Sequence, residues 1–484
     1  MAATYFFYDL ETSGLDPRDD RIMQFAGIRT DLELNPIGEP VNLMIKLTPD
    51  VVPDPGAVLV TGITPQSTLA DGLTEAEFLD HFYSEIVTPD TTFMGFNTVR
   101  FDDEFMRYLH WRNFYDPYEW QYKDGCSRWD LLDVVRMTRA LRPDGIEWPF
   151  TEDGKPTNRL ELITKLNGID HYAAHDALSD VHATIAVAKL IRDKQGKLFE
   201  YLRSVRQKKD VQALATGTQP FVYSSGKYAN EYQKTAVVAR FADHPQGRGV
   251  YVFDLRYDPA DFASLSAEEL VERWRYTKDE SAPARLPVKL LQFNRCPAVA
   301  PLGVLDDASR QRLEVDLDTI QKHLHSLRQH TGLADTVIAA VSLMDDERHK
   351  RYPASQDVDA QLYDGFVGDQ DKVVERAVRA ARPDEINGFA NRLKDERLKG
   401  LLPRYKARNY PASLSDDERK AWELFRRQRL FDGGNNSRLA RYFASLQELA
   451  ATASEEQSYL LEELQLYGQS LMPSYDEFEQ PDEA

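Results

Sequence analysis

The apolar positions of this chain fall into three successive patterns. Through about residue 193, unbroken apolar runs alternate with helical spacing. "YFFYDL", "IMQFAGIRTD", "PVNLMIKLTP" and "TTFMGFN" read as strands. "TEAEFLDHFYSEI", "DDEFMRYLHWRNF", "RWDLLDVVRMTRAL" and "HDALSDVHATIAVAKLIRD" carry apolar residues every three or four positions, as helices do. Strands followed by strand–helix alternation predict an α/β domain with a mixed sheet. After a polar link, "RDKQGK", the runs "GVYVFDLRYD" and "VKLLQFNRCPAVAPLGVL" are rich in β-branched and aromatic residues, with helical insertions such as "SAEELVERW" and "LDTIQKHLHSL". Beyond "DDERHKRYPASQD" the spacing is mainly helical. The expected division is therefore 1–194, 195–348 and 349–475, with an acidic tail at 476–484.

The first run ends in charge. Alternate side chains of a strand share a face, so Tyr5, Phe7, Asp9 and Glu11 point the same way. At about 6.6 Å apart, two such carboxylates repel by roughly 2.5 kcal/mol at an effective dielectric of about 20. A lone D-x-E is more often a solvated strand end than a site. Two other segments change that reading. "FMGFNTVRFDDE" repeats the design, with an apolar strand, an amide and an Asp opening a helix, although Asp102 or Asp103 there also suits a helix cap. In "HDALSDVHATIAVAKL", Asp180 aligns with Ala177, Thr184, Val187 and Ile191 on a mostly apolar face, where an unpaired charge is costly. Asp176 and His182 compete in that segment, Asp176 being explained more simply as an exposed first-turn residue.

Converging carboxylates need a cation. Hard oxygen ligands without Cys suit Mg²⁺ or Mn²⁺. Two such ions about 3.5–4 Å apart can hold the attacking and leaving oxygens of a phosphoryl displacement. His175, five residues before Asp180, can accept the proton of an attacking water at neutral pH.

Composition limits the alternatives. Two cysteines in 484 residues, Cys126 and Cys296, exclude a disulfide framework or a Cys-rich zinc site and fit a reducing compartment. No signal-peptide pattern and no apolar run long enough to span a bilayer is present, so a soluble intracellular protein is expected. The net charge of −20 argues against nucleic acid only weakly, because nine acids and no Lys or Arg follow Ser454. That end reads as a solvated helix and tail.

Asp9-x-Glu11, Asp102 after "NTVRF", and His175 five residues before Asp180 form, in this order, the pattern of the DEDD exonucleases in their His-containing branch. "GAVLVTGITPQ", "RNFYDPY", "SRWDLLDVVR", "ALRPDGIEWP", "RLELITKLNGIDH", "LPVKLLQFNRCP", "DVDAQLYDGF" and "YKARNYP" together resemble the bacterial exodeoxyribonuclease I family, over nearly the whole chain. The resemblance implies a ribonuclease H-like mixed-sheet exonuclease domain, an SH3-like β-rich domain with helical insertions, and an α-helical C-terminal domain. It implies single-strand-specific 3′→5′ hydrolysis of DNA to 5′-mononucleotides in repair and recombination. Asp9, Glu11, Asp102 and Asp180 resemble the ligands of two Mg²⁺ ions, with Mn²⁺ able to substitute. His175 resembles the general base, so His175 and Glu11 are the catalytic candidates. Arg107 and Arg159 resemble residues that touch the strand, and paired guanidinium bonds suit phosphate. On sequence alone a surface salt bridge is the favoured reading of Arg107.

Stacking on aromatics suits single strands, and Tyr118 and Tyr122 are the candidates in "FYDPYEWQYKDGCSRW". "YLRSVRQKK" and "PRYKARNYP" are candidate basic walls. Arg142 and Tyr201 match positions associated with docking the C-terminal tail of single-stranded DNA-binding protein. The resemblance further implies a monomer in the bacterial cytoplasm, associated with the nucleoid and with no membrane contact. Two departures stand out: Leu10 and Ser13 replace aromatics of the family pattern "DYETFG", and "SSGKYANEYQKTAVVARF" lacks the expected tryptophans. Two alternatives remain, a 3′→5′ exoribonuclease or proofreading nuclease of the same superfamily, and a non-catalytic single-strand-binding scaffold.

Overall fold

The computed structural model describes residues 3–171, 176–275, 279, 281, 283–351 and 355–472. Its first sheet has the order β3-β2-β1-β4-β5, built from β1 (Thr4–Thr12), β2 (Ile22–Thr30), β3 (Val41–Met44), β4 (Thr91–Gly95) and β5 (Ser127–Asp130). β1, β2 and β3 pair antiparallel, whereas β1–β4 and β4–β5 are parallel, giving the expected mixed sheet. β1 is central and buried on both faces. Tyr5 and Phe7 pack with Trp129, Val181 and Phe199, while Phe6, Tyr8 and Leu10 join Phe25, Phe93 and Trp120 on the other side. A bulge after Glu11 shifts the register, and Thr12 pairs with Ile22.

The structure revises three local readings. "SRWD" is strand β5 rather than the start of a helix, because Asp130 caps the helix Leu131–Leu141 by accepting the Leu132 amide. The polar "RDKQGK" lies inside the long helix Ala177–Ser204, where Gln195 alone takes a non-helical backbone. The acidic C-terminal segment is not merely solvated: its helix Glu455–Ser470 packs Leu461 and Leu464 against Val58, Leu439 and Tyr442. The tail expected at 476–484 lies outside the described residues.

The second sheet, order β10-β6-β7-β8-β9, is antiparallel throughout. It comprises β6 (Phe221–Ser224), β7 (Thr235–Asp243), β8 (Gly249–Asp254), β9 (Val288–Gln292) and β10 (Ala298–Pro301). Beyond the helix Gly332–Arg351 the elements are helical. Among the described residues no helix is long and apolar enough to cross a membrane.

A buried ion network joins the last region to the first. Arg408 donates to Asp359 at 2.9 Å and to Asp50 at 2.7 Å, and Arg21 lies 3.8 Å from Asp359 and 3.9 Å from Asp50. Arg429 donates to the Asp50 carbonyl and pairs with Asp357. "PRYKARNYP" is thus structural, with Lys406 held by Glu418 and Arg408 by Asp359, and it is not a groove wall.

Candidate metal centre and strand channel

β1 delivers Asp9 and Glu11 to one face, in register with Ala26 and Gln24 of β2. On the same face lies the helix Ala177–Ser204, whose first turn carries Asp180. One carboxylate oxygen from each of Asp9, Glu11 and Asp180 falls within 4.8 Å of the others. Asp102 opens the helix Asp102–Arg112 and is 3% exposed. Its carboxylate accepts the Leu10 amide, so it faces β1 beside the trio without joining its tightest group. Asp103 is the structural neighbour: it accepts from the Tyr8 hydroxyl at 2.6 Å and pairs with Arg128.

The site is strongly negative. Burial, and then the charges of Asp102, Asp180 and Asp176, push the Asp9 carboxyl well above its ordinary range. Burial, and then Asp9, Asp180 and Asp176, push Glu11 up to about 9. Asp102 is raised by burial and by Asp130 and Glu11. Asp176 contributes to this field while capping its helix through the Ser179 amide, so it is a part-buried N-cap rather than an exposed first-turn residue. His182 is exposed on that helix. An all-oxygen, mutually repelling donor set of this kind fits a hard divalent cation and little else.

Two supports were not visible in the sequence. Asp130 accepts the amides of Asn97 at 3.0 Å and Val99 at 3.2 Å, shaping the loop that leads to Asp102. His171 donates through Nε2 to Asp180 at 2.6 Å, with buried Thr164 behind its Nδ1. Both depend on tertiary contacts, although "SRWD" and "GIDH" do hold the residues. His175 lies outside the described residues. Leu10 packs into the core, and the buried Ser13 accepts the Arg21 amide through Oγ. Neither departure from the family pattern is an exposed surface at the acids.

The raised carboxyl of Glu11 has a measurable consequence. An acid whose folded pKa lies above its unfolded value costs stability once pH exceeds that unfolded value, and the full cost is reached above the folded one. Here the window runs from 4.5 to about 9. In EDTA at pH 8, Glu11→Gln is expected to stabilise the protein by on the order of 2 kcal/mol, a gain that fades toward pH 4. Thermal melting at both pH values checks this, and equal melting of variant and wild type at pH 8 would contradict it.

Two cavities that share Arg107, Tyr118 and Lys208, and that none of the site's acids lines, form a basic and aromatic channel. One cavity of about 680 Å³ is lined by Arg107, Tyr118, Tyr122, Arg206, Lys208 and Lys209, among others. A second, of about 540 Å³, adds Arg248, Arg295, Tyr363 and Phe366. Arg206, Lys208 and Lys209 of "YLRSVRQKK" thus face the channel. Arg107 is 4% exposed and donates to Glu104 at 2.6 Å, and its guanidinium sits 5.3 Å from the Tyr118 ring centroid. Its pairing is a buried one, not a surface salt bridge. Tyr122 is exposed. Arg159 stands outside these cavities, exposed, 4.0 Å from Glu161. Arg142 donates to the Val304 carbonyl at 2.8 Å and lies 3.1 Å from Asp306, while Tyr201 is half-buried against the main core.

Comparison with known proteins shows which family shares this fold. Residues 6–188 match the family model described as Exonuclease, 206–341 that of the Exonuclease I SH3-like domain, and 356–471 that of the Exonuclease I C-terminal domain. The chain is 42% identical to Exodeoxyribonuclease I of Escherichia coli (strain K12) over 430 residues, which is 88% of this chain and 90% of that protein. It is 39% identical to the Haemophilus influenzae Exodeoxyribonuclease I, covering 97% of this chain and 99% of that one. The structure superposes on E. coli Exonuclease I in complex with a dA16 oligonucleotide with a TM-score of 0.90 at 39% identity, covering 97% and 100% of the two chains. Equally similar is a zinc-bound E. coli ExoI–ssDNA complex, at TM-score 0.90 and 39% identity, covering 97% of this chain and 100% of that one. A structure of SSB/Exonuclease I with the inhibitor CFAM matches at TM-score 0.87 and 38% identity, covering 98% of this chain and 100% of that one.

Proposed function

This chain belongs to the exodeoxyribonuclease I family, and from that premise we propose that it degrades single-stranded DNA from the 3′ end, releasing 5′-mononucleotides. The observation that carries this reading is the Asp9–Glu11–Asp180 trio, within 4.8 Å at the end of β1, in a chain that also holds an aromatic and basic channel. Divalent cations, which we take to be two Mg²⁺ with Mn²⁺ able to substitute, would supply Lewis-acid activation of water and charge relief at the leaving oxygen. Asp9, Glu11 and Asp180 would hold them, with Asp102 completing the set. His175 is assigned the water's proton on the spacing of its motif. Tyr118 and Tyr122 offer stacking faces, and Arg107, Arg159 and the Arg206–Lys209 stretch offer phosphate contacts. The domain limits are proposed at 1–194, 195–348 and 349–475.

Exonuclease action on a 5′-labelled strand leaves a ladder shortening from the 3′ end. With Mg²⁺, single-stranded DNA is expected to shorten while the same sequence as RNA and a blunt duplex persist, and EDTA is expected to stop the reaction. Faster loss of RNA would replace this reading with that of an exoribonuclease.

The reading extends to a partner, because a relative has been seen with SSB. Arg142 and Tyr201 are the proposed dock for the acidic tail of single-stranded DNA-binding protein. Arg142→Ala is expected to weaken binding of a fluorescent tail peptide about tenfold, as loss of a charge-assisted anchor does. Unchanged anisotropy titrations would remove Arg142 from that role. We place the enzyme, as a monomer, in the bacterial cytoplasm at the nucleoid, acting in repair and recombination.

A further inference from the structure

Glu104 sits two residues beyond Asp102, on the same helix, and closes the "FMGFNTVRFDDE" segment without a role in the metal centre. Its Oε1 accepts from Arg107 Nη1 of its own helix at 2.6 Å and from Arg295 Nη2 at 2.9 Å. Its Oε2 accepts the hydroxyl of Tyr363. Arg295 lies just beyond β9, in the SH3-like region, and Tyr363 in the C-terminal region. One carboxylate, 15% exposed, therefore gathers side chains from all three regions. Those three partners line the cavity of about 540 Å³, together with Phe366, which is 99% exposed. Arg295 also donates through Nη1 to the Val99 carbonyl at 2.6 Å, in the loop that leads to Asp102. Tyr363 meets Tyr108 edge-on, with 5.9 Å between centroids.

We propose that Glu104 is a positioning residue that holds the strand channel closed, aiming Arg107 and Arg295 at the phosphates and stapling the Tyr363–Phe366 segment across them. The proposal rests on the reading of this channel as the path of the strand. Elementary electrostatics makes it discriminating. An acid that merely stood beside a phosphate path would repel the strand, and neutralising it would tighten binding. An acid that organises two guanidinium groups and a phenol does the opposite, because without it long side chains recover their rotamer freedom and must be re-ordered by the ligand.

The test uses the full chain, with Glu104→Gln, Tyr363→Phe and wild type. Binding of a 5′-fluorescent oligothymidylate is followed by anisotropy in EDTA. Run length is followed with Mg²⁺ and an excess of unlabelled strand as trap. Glu104→Gln is expected to weaken binding about fivefold and to shorten runs, raising KM more than it lowers kcat, and Tyr363→Phe to weaken binding about twofold. Melting curves in EDTA separate a fold defect from a channel defect. Binding that is tighter or unchanged in Glu104→Gln overturns the proposal, as does a fall in kcat with KM and run length retained. A wild-type enzyme that leaves the strand intact would instead overturn the reading of the channel.

Discussion

Asp180→Ala is expected to lower cleavage of single-stranded DNA by at least about 10³-fold while leaving strand binding in EDTA within about threefold of wild type. The asymmetry follows from where the residue stands. Asp180 lies in the first turn of the helix Ala177–Ser204 and shares with Asp9 and Glu11 the only cluster of metal-competent donors found among the described residues. Removing it would take one oxygen donor from the cations this site is proposed to hold, so the loss would fall on the chemical step. The channel residues Arg107, Tyr118 and Lys208 line separate cavity walls and keep their positions. Removing Asp180 relieves repulsion with Asp9 and Glu11 but leaves His171 Nε2 without its acceptor, so melting in EDTA is followed beside cleavage to separate a fold defect from a site defect. Single-turnover cleavage beside anisotropy checks both halves. Wild-type cleavage with Mg²⁺ would show that the metal ligands are misassigned.

Asp359→Ala is expected to destabilise the protein by about 3–5 kcal/mol, far more than most single substitutions. Asp359 is fully buried and accepts from Arg408, with Arg404 at 3.3 Å and Arg21 at 3.8 Å. Its removal leaves Arg408, Arg404 and Arg21 short of negative charge at the seam between the C-terminal region and the exonuclease region, with Asp50 and Asp357 left to share among them. Burial opposes ionisation of Asp359, but Arg408 and its neighbours outweigh it and hold the carboxyl well below 3.8. Asp50 is lowered in the same way by Arg408, Arg21 and Arg429. A depressed acid contributes stability that is complete above its unfolded pKa and fades as pH falls below it. The seam should therefore hold at neutral pH and weaken below about pH 4, a dependence reduced in Asp359→Ala. Urea unfolding across that range measures both effects, and equal midpoints at pH 7 would contradict the account.

The legible parts of the site share one property: they follow from local periodicity. Asp9 and Glu11 follow from the two-residue period of a strand, and Asp180 from its place on an apolar helical stripe. By capping alone Asp102 and Asp103 look alike, since both suit a first helical turn. The family resemblance points to Asp102, and in the fold Tyr8 and Arg128 pack around Asp103. Asp130, His171 and Glu104 act through partners far away in sequence, and no local pattern announces that. Charge runs misled for the same reason. The cations of "PRYKARNYP" look like a groove wall, yet Arg408 meets Asp50 from a position 358 residues away. The acidic C-terminal helix looks solvated, yet its leucines find Val58 and Tyr442. Sequence spacing shows which faces exist, and only the fold shows what covers them.

Whether these carboxylates hold divalent cations can be seen in the anomalous scattering of crystals grown with Mn²⁺. The account predicts one or two peaks, each about 2.2 Å from oxygens of Asp9, Glu11 and Asp180, with Asp102 at the second. Crystals that carry Mn²⁺ elsewhere, or none at these oxygens while the enzyme cleaves in the same buffer, would contradict it.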